Sequence, residues 1–237
     1  MDVLLLAHVL GDFYFQSNQL ASRKQKDMKA LAVHVGIYSL CILIGLVLYV
    51  PRLFDALWMT MVIALSHFVI DIIKLRLEPF LSKYDVLLFC LDQFLHIIIL
   101  WLCSDCLSIY ERFFDTILYA DCSVIMIIAM MLFCGKPASI LIAKLFQKIP
   151  QTVEASMDES VRHQESVRIG SWIGILEREI IFLLALLGQY GAIGFVMAAK
   201  SIARHKQLNE VAFAEKYLVG TLLSALIALL CAIVCRL

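Results

Sequence analysis

The chain has 237 residues, 62% of them apolar and 17% charged, with 20 basic residues against 20 acidic ones and a mean hydropathy of +0.88. A soluble domain of this size must leave part of its surface to water, and a disordered chain must be polar and charged, so both classes are excluded. The charge balance and the absence of a basic tail leave no footing for a nucleic-acid partner.

What remains is a polytopic membrane protein. A helix rises 1.5 Å per residue, so a hydrocarbon core of about 30 Å needs about 20 apolar residues. Apolar blocks at 3–15, 31–50, 58–73, 86–103, 116–133, 172–187, 192–202 and 217–234 predict an all-α transmembrane bundle of six to eight helices. They are solidly apolar, whereas barrel strands would alternate at period two. No Pro or Gly cluster divides the chain, so residues 1–237 read as a single membrane domain. The first block starts Met1-Asp2 without a basic n-region and carries His8 and Asp12, so it reads as a retained helix rather than a signal peptide.

Lys and Arg set the orientation. They crowd the segments 17–29 and 74–85, and the positive-inside rule puts these and 134–171 in the cytoplasm and the N-terminus outside. Within the long loop 134–171, the polar residues Lys144, Gln147, Lys148 and Gln151 share a helical face, predicting an amphipathic interfacial helix over about 138–149 with its lysines at anionic membrane lipids. Pro150 ends it, and the polar stretch from Met157 to Arg168 reads as exposed. Lys200, Arg204, Lys206 and Lys216 also belong inside, which requires Gly188-Gln189-Tyr190-Gly191 to turn the chain back. Residues 172–203 then form a helical hairpin, either two crossings or a re-entrant pair.

The chemistry lies in polar residues set inside the apolar blocks: His8, His34, His67 and His96 with Asp12, Asp71 and Asp92, flanked by Gln16, Lys74 and Gln93. Ionisable groups in hydrocarbon cost several kcal/mol unless paired or liganded, so they face the bundle interior and mark a site. His8-x-x-x-Asp12-x-x-x-Gln16 and His67-x-x-x-Asp71 each form a helical stripe, with Lys74 three residues on, and the fourth block reverses the order to Asp92-x-x-x-His96. Since that helix runs the other way, the three carboxylates share one layer and the three imidazoles a second layer about 6 Å deeper, with His34 near the carboxylates.

Imidazole and carboxylate donors suit a divalent ion such as Zn²⁺, Mn²⁺ or Fe²⁺, and seven candidates leave room for two ions. His8, Asp12, His67, Asp71, Asp92 and His96 are the expected ligands, with His34 a further ligand or general base. Gln16, Gln93 and Glu177 are expected to support the ligands from outside, Gln93 and Glu177 within the catalytic machinery and Glu177 orienting Arg178. Lys74, Arg178, Lys200 and Arg204 are the basic groups for an anionic substrate. Interhelical hydrogen bonding alone would not demand a shared depth. A proton or metal-ion pathway is the rival reading, since His and Asp build relays and Gly188–Gly191 resembles a transporter's interrupted helix. The outer halves of the blocks are almost purely apolar, which favours a one-sided site. His163 and His205 read as surface residues. Cys103-x-x-Cys106 matches a redox spacing without a second pair, and no phosphate-loop, dinucleotide or zincin motif occurs.

The run Leu5-Leu6-Ala7-His8-Val9-Leu10-Gly11-Asp12-Phe13-Tyr14-Phe15-Gln16, then Lys24 and Ala32-Val33-His34, resembles a bacterial family of small polytopic membrane proteins catalogued as a domain of unknown function (DUF3307 type). His67-x-x-x-Asp71-x-x-Lys74, Asp92-Gln93-x-x-His96, Trp172-Ile173-Gly174-Ile175-Leu176-Glu177-Arg178, Ala198-Ala199-Lys200-Ser201-x-x-Arg204 and Tyr217-Leu218-x-Gly220-Thr221-Leu222 are similar to that family's pattern. The resemblance implies a bacterial inner-membrane protein and no activity. More loosely, the His/Asp pattern is similar to membrane-bound metal-dependent hydrolases. The resulting expectation is hydrolysis or transfer at a phosphate or ester bond of a lipid-like substrate from a cytoplasm-facing site. The alternatives are a metal-ion or proton-coupled transporter, and a non-catalytic membrane subunit that recruits a partner.

Overall fold

The computed structural model describes residues 1–25, 27–48, 50, 52–106, 124–148 and 160–236, with side chains from 170 onward in the last segment except at 212. It is helical throughout these residues, with no strand among them. The helices are α1 Asp2–Val9, α2 Asn18–Arg23, α3 Met28–Val47, α4 Leu53–Leu77, α5 Asp85–Cys106, α6 Val124–Gln147, α7 Ser160–Leu186, α8 Tyr190–Ala203 and α9 Val211–Arg236. Five segments among the described residues are long and apolar enough to cross a membrane: Met28–Val47, Leu53–Leu77, Ser82–Cys106, Val124–Gln147 and Phe213–Arg236. Their outward surface is apolar too, with Leu40, Ile44, Leu65 and Leu226 exposed, as lipid contact requires. The all-helical membrane architecture read from the sequence therefore stands. Backbone proximity divides the chain into two compact units, Met1–Leu132 and Phe133–Leu237.

In the first unit, Leu4 and Ala7 of α1 bury against Tyr38, Ile42 and Leu46 of α3, Ala56 and Ile63 of α4 and Leu100 of α5. Small residues permit the close approach of α1 and α3. A Cβ on Gly45 would lie 2.9 Å from Val3 Cγ1, and one on Gly11 would lie 3.0 Å from Tyr38 Cδ2 and 3.2 Å from Tyr38 Cα. The second of these is backbone and cannot step aside. Gly11→Val is expected to cost about 2 kcal/mol through overpacking, seen as a lower melting temperature in detergent; an unchanged midpoint would mean the two helices can part freely.

The first block is not a uniform α-helix. A π turn spans Leu10–Tyr14, and the Phe15 amide donates to the Leu10 carbonyl over 2.8 Å. Asp12 sits in this wider turn, so the regular His8–Asp12–Gln16 stripe of the sequence reading is broken at its middle. π turns are frequent at functional sites because the extra residue re-aims a side chain. Ser17 then caps α2, its Oγ accepting from the Leu20 amide at 3.2 Å, and the short helix ends at Lys24, whose side chain returns to the core.

In the second unit, the stretch expected to open a loop at 134 is helix instead. α6 runs without interruption to Gln147 through a buried Pro137, so the interfacial helix expected at 138–149 is, as far as it is described, the second half of α6. Pro137 has no amide to donate to the Phe133 carbonyl four residues earlier, so the helix loses one bond of its ladder there. Arg178 ties onto the same turn: Nε donates to the Cys134 carbonyl at 2.6 Å and Nη2 to that of Gly135 at 3.3 Å. Pro150 and the polar stretch up to residue 159 lie outside the described residues, as does 107–123 within the expected span 116–133.

α7 and α8 are joined through Gly188, at φ +70°, in a Schellman arrangement: Gln189 N donates to Leu184 O at 2.8 Å and Gly188 N to Ala185 O at 3.1 Å. Arg236 Nη2 fixes the turn by donating to the Ala185 and Leu186 carbonyls, both at 2.8 Å. α8 is 14 residues long, about 21 Å of helix and less than a full crossing. The described cysteines are all free thiols, Cys103 and Cys106 included.

Candidate metal centre

Four helices of the first unit bring the expected residues together. His8 and Asp12 come from α1 and its π turn, His34 from α3, His67, Asp71 and Lys74 from α4, and Asp92, Gln93 and His96 from α5. All four histidines and three aspartates are buried, His34 at 0% and Asp12, the most open, at 8% exposure.

The centre of the arrangement is His34 Nε2. It lies 3.1 Å from His67 Nε2, 3.3 Å from Asp12 Oδ1 and 3.5 Å from Asp71 Oδ2, while His67 Nε2 stands 3.8 Å from that same Asp71 oxygen. One imidazole nitrogen carries at most one hydrogen, so it cannot serve three acceptors together. The same atoms suit a shared cation better. Donors bound to one tetrahedral ion at about 2.0–2.1 Å lie about 3.3 Å apart, in the middle of the observed spacings. Asp12, His34 and His67 form one group whose ligand atoms lie within 4.8 Å of one another; His67, Asp71 and His96 form a second. His96 Nδ1 is directed at the Asp92 carbonyl, 2.8 Å away, while His96 Nε2 is buried without a partner, as are the Nδ1 atoms of His34 and His67.

The remaining residues hold these donors rather than joining them. His8 is engaged at both nitrogens, 3.2 Å from the Tyr38 hydroxyl and 3.2 Å from Gln93 Oε1. Gln93 Nε2 donates to Asp12 Oδ2 at 3.0 Å and Asp92 Oδ2 at 3.1 Å, bridging two carboxylates. The imidazoles pack on one another, with ring centroids 4.4 Å apart for His67–His96 and 5.5 Å for His8–His96. Lys74, expected to bind substrate charge, is instead paired with Asp92 Oδ2 at 2.6 Å. Buried carboxylates need a counter-charge in a low dielectric, and the i+3 position on α4 brings Lys74 to the facing helix.

Two participants escape the sequence reading. Lys24 Nζ donates to Asp71 Oδ2 at 3.2 Å, and with its amide oxygen facing that ammonium Gln16 accepts from it at 2.9 Å while donating to the Asp12 carbonyl at 2.9 Å. Tyr38 is 1% exposed and stacks on His67 with centroids 3.8 Å apart and planes 9° from parallel. Its signal was available: His34 and Tyr38 are four residues apart and share a helical face.

Glu177, Arg178, Lys200 and Arg204 belong to the second unit. Glu177 does not orient Arg178 as expected. It pairs with Lys200, which also donates to Thr221 Oγ1 at 3.0 Å, and Arg178 turns to the α6 carbonyls and to Ser139 and Ser224. Adjacent residues on a helix point about 100° apart, so neighbours in sequence serve different helices here.

A family model described as a protein of unknown function, DUF3307, matches residues 1–120, half of the chain. The match contains every donor of the His/Asp cluster and ends before the second unit. No curated protein matches the chain. No solved structure matches it either.

Proposed function

We propose that this chain, which belongs to the DUF3307 family of proteins of unknown function, is a membrane-embedded metal-dependent hydrolase or transferase acting on a lipid-like phosphate or ester substrate. The supporting observation is the convergence of His67 Nε2, Asp12 Oδ1 and Asp71 Oδ2 on His34 Nε2 within 3.1–3.5 Å. His34, His67 and His96 with Asp12 and Asp71 would hold the ion, and because both donor groups draw on His67 a single ion is expected. A divalent ion of the zinc, manganese or iron type held there would supply hydroxide at neutral pH and polarise a phosphoryl or acyl oxygen. Lys24 and Gln16 fix Asp71 and the π turn; Gln93, His8 and Tyr38 fix Asp12 and the imidazole stack. The distribution of Lys and Arg supports an N-terminus outside and a cytoplasm-facing site, and the family resemblance supports a bacterial inner membrane.

The test is turnover. Purified protein loaded with Zn²⁺ or Mn²⁺ is presented with p-nitrophenyl phosphate, bis(p-nitrophenyl) phosphate and p-nitrophenyl butyrate in micelles. Activity is expected, and His67→Ala should lower it about a hundredfold or more. A second reading has its own support. Short contacts run from Lys24 through Asp71, His34, Asp12, Gln93 and His8 to Tyr38, a path suited to proton movement. No turnover on any ester, with His34-dependent proton or metal flux into liposomes, would select that transporter instead.

A further inference from the structure

The second unit contains a cavity of about 370 Å³, lined by residues of α6, α7, α8 and α9 and lying outside the family match. That volume is within the range of small-molecule sites. Four cationic side chains line it, Arg178, Lys200, Arg204 and Lys216, against the one carboxylate of Glu177. Glu177 is consumed by Lys200, and Arg178 is buried against the Cys134 and Gly135 carbonyls. Arg204 and Lys216, each half-buried, make no ion pair among the described residues. The charges of Arg204 and Lys216 are therefore left without a counter-charge among the described residues, beside walls supplied by Ile142, Phe146 and Ile173. Unbalanced charge next to apolar surface costs free energy unless an anion shares the space.

We propose that this cavity binds a phosphate group carrying an apolar chain. A phosphate monoester bears up to two negative charges and a diester one, and the tetrahedral oxygens of either take both the fork of an arginine and the point charge of a lysine. Glu177 Oε1 is buried without a partner in the same lining and accepts from a hydroxyl of the ligand. Gly220 shapes the apolar end: a Cβ there would lie 3.1 Å from Phe146 Cζ. The site is lined by residues of the second unit and does not depend on the metal reading.

The experiment is native mass spectrometry of the full chain in detergent, titrated with phosphatidylglycerol and with phosphatidylcholine. The comparison is between Arg204→Ala/Lys216→Ala and a control of equal charge loss, Lys29→Ala/Arg76→Ala. Retention of phosphatidylglycerol is expected to weaken about tenfold or more in the first double variant and to be unchanged in the second. Competition by inorganic phosphate would identify the free anion as sufficient; lipid binding that phosphate does not displace would identify the headgroup together with its chain. Equal loss in both double variants, or loss in neither, overturns the proposal. Repeating the titration on His67→Ala protein after chelator treatment keeps its outcome separate from that of the metal centre, since phosphatidylglycerol binding should persist there.

Discussion

Protein purified in detergent, loaded with Zn²⁺ or Mn²⁺ and passed over a desalting column is expected to keep one ion per chain by elemental mass spectrometry. His34→Ala and His67→Ala should each lower the affinity by about a hundredfold or more, because both contribute to the 3.1 Å contact at the centre of the donor set. The expected loss is smaller for a supporting residue. His8 has both nitrogens engaged by Tyr38 and Gln93, so His8→Ala is expected to weaken binding by about tenfold, the effect of a support rather than a ligand. Metal-free protein in every sample, with melting unchanged by added Zn²⁺ or Mn²⁺, would sink the centre. The cluster would then be a hydrogen-bonded relay, with His34 and His67 sharing one proton.

The second large effect concerns stability. Lys74→Ala leaves Asp92, 2% exposed at its side chain, without its counter-charge in the interior of the first unit. Removing one member of a buried pair strands the other, and a loss of about 3 kcal/mol is expected, the low end of such costs because the Lys74 side chain keeps 23% exposure. Lys74→Met combined with Asp92→Asn removes both charges and should recover most of the loss, while Gln93 keeps a partner at position 92. Thermal melting in detergent reads both variants. A single variant as stable as the parent would mean that Asp92 is protonated or reached by water, and that Lys74 is free for substrate after all.

Arg178 shows how a residue's chemistry can be legible while its task is not. A buried arginine in an apolar helix reads as an anion site from sequence alone. In the fold its guanidinium donates to the Cys134 and Gly135 carbonyls of α6, which runs on as helix where a loop was expected. Glu177, one position earlier, faces Lys200 instead.

The sequence by itself determined the class and most of the cluster. Apolar blocks long enough for a bilayer leave helices as the only way to satisfy the backbone, and i, i+4 spacing puts His67 with Asp71 and Asp92 with His96 on one face whatever the tertiary arrangement. The tertiary structure alone decided which donors meet. The π turn at Leu10–Tyr14 re-aims Asp12, Gly11 lets Tyr38 close over the imidazoles, and Lys24 returns from a separate short helix to Asp71. The same holds for the pairing of Lys74 with Asp92 and Lys200 with Glu177. These are contacts between helices, set by how closely two backbones approach and how each helix is rotated about its axis, and a one-dimensional pattern carries neither quantity.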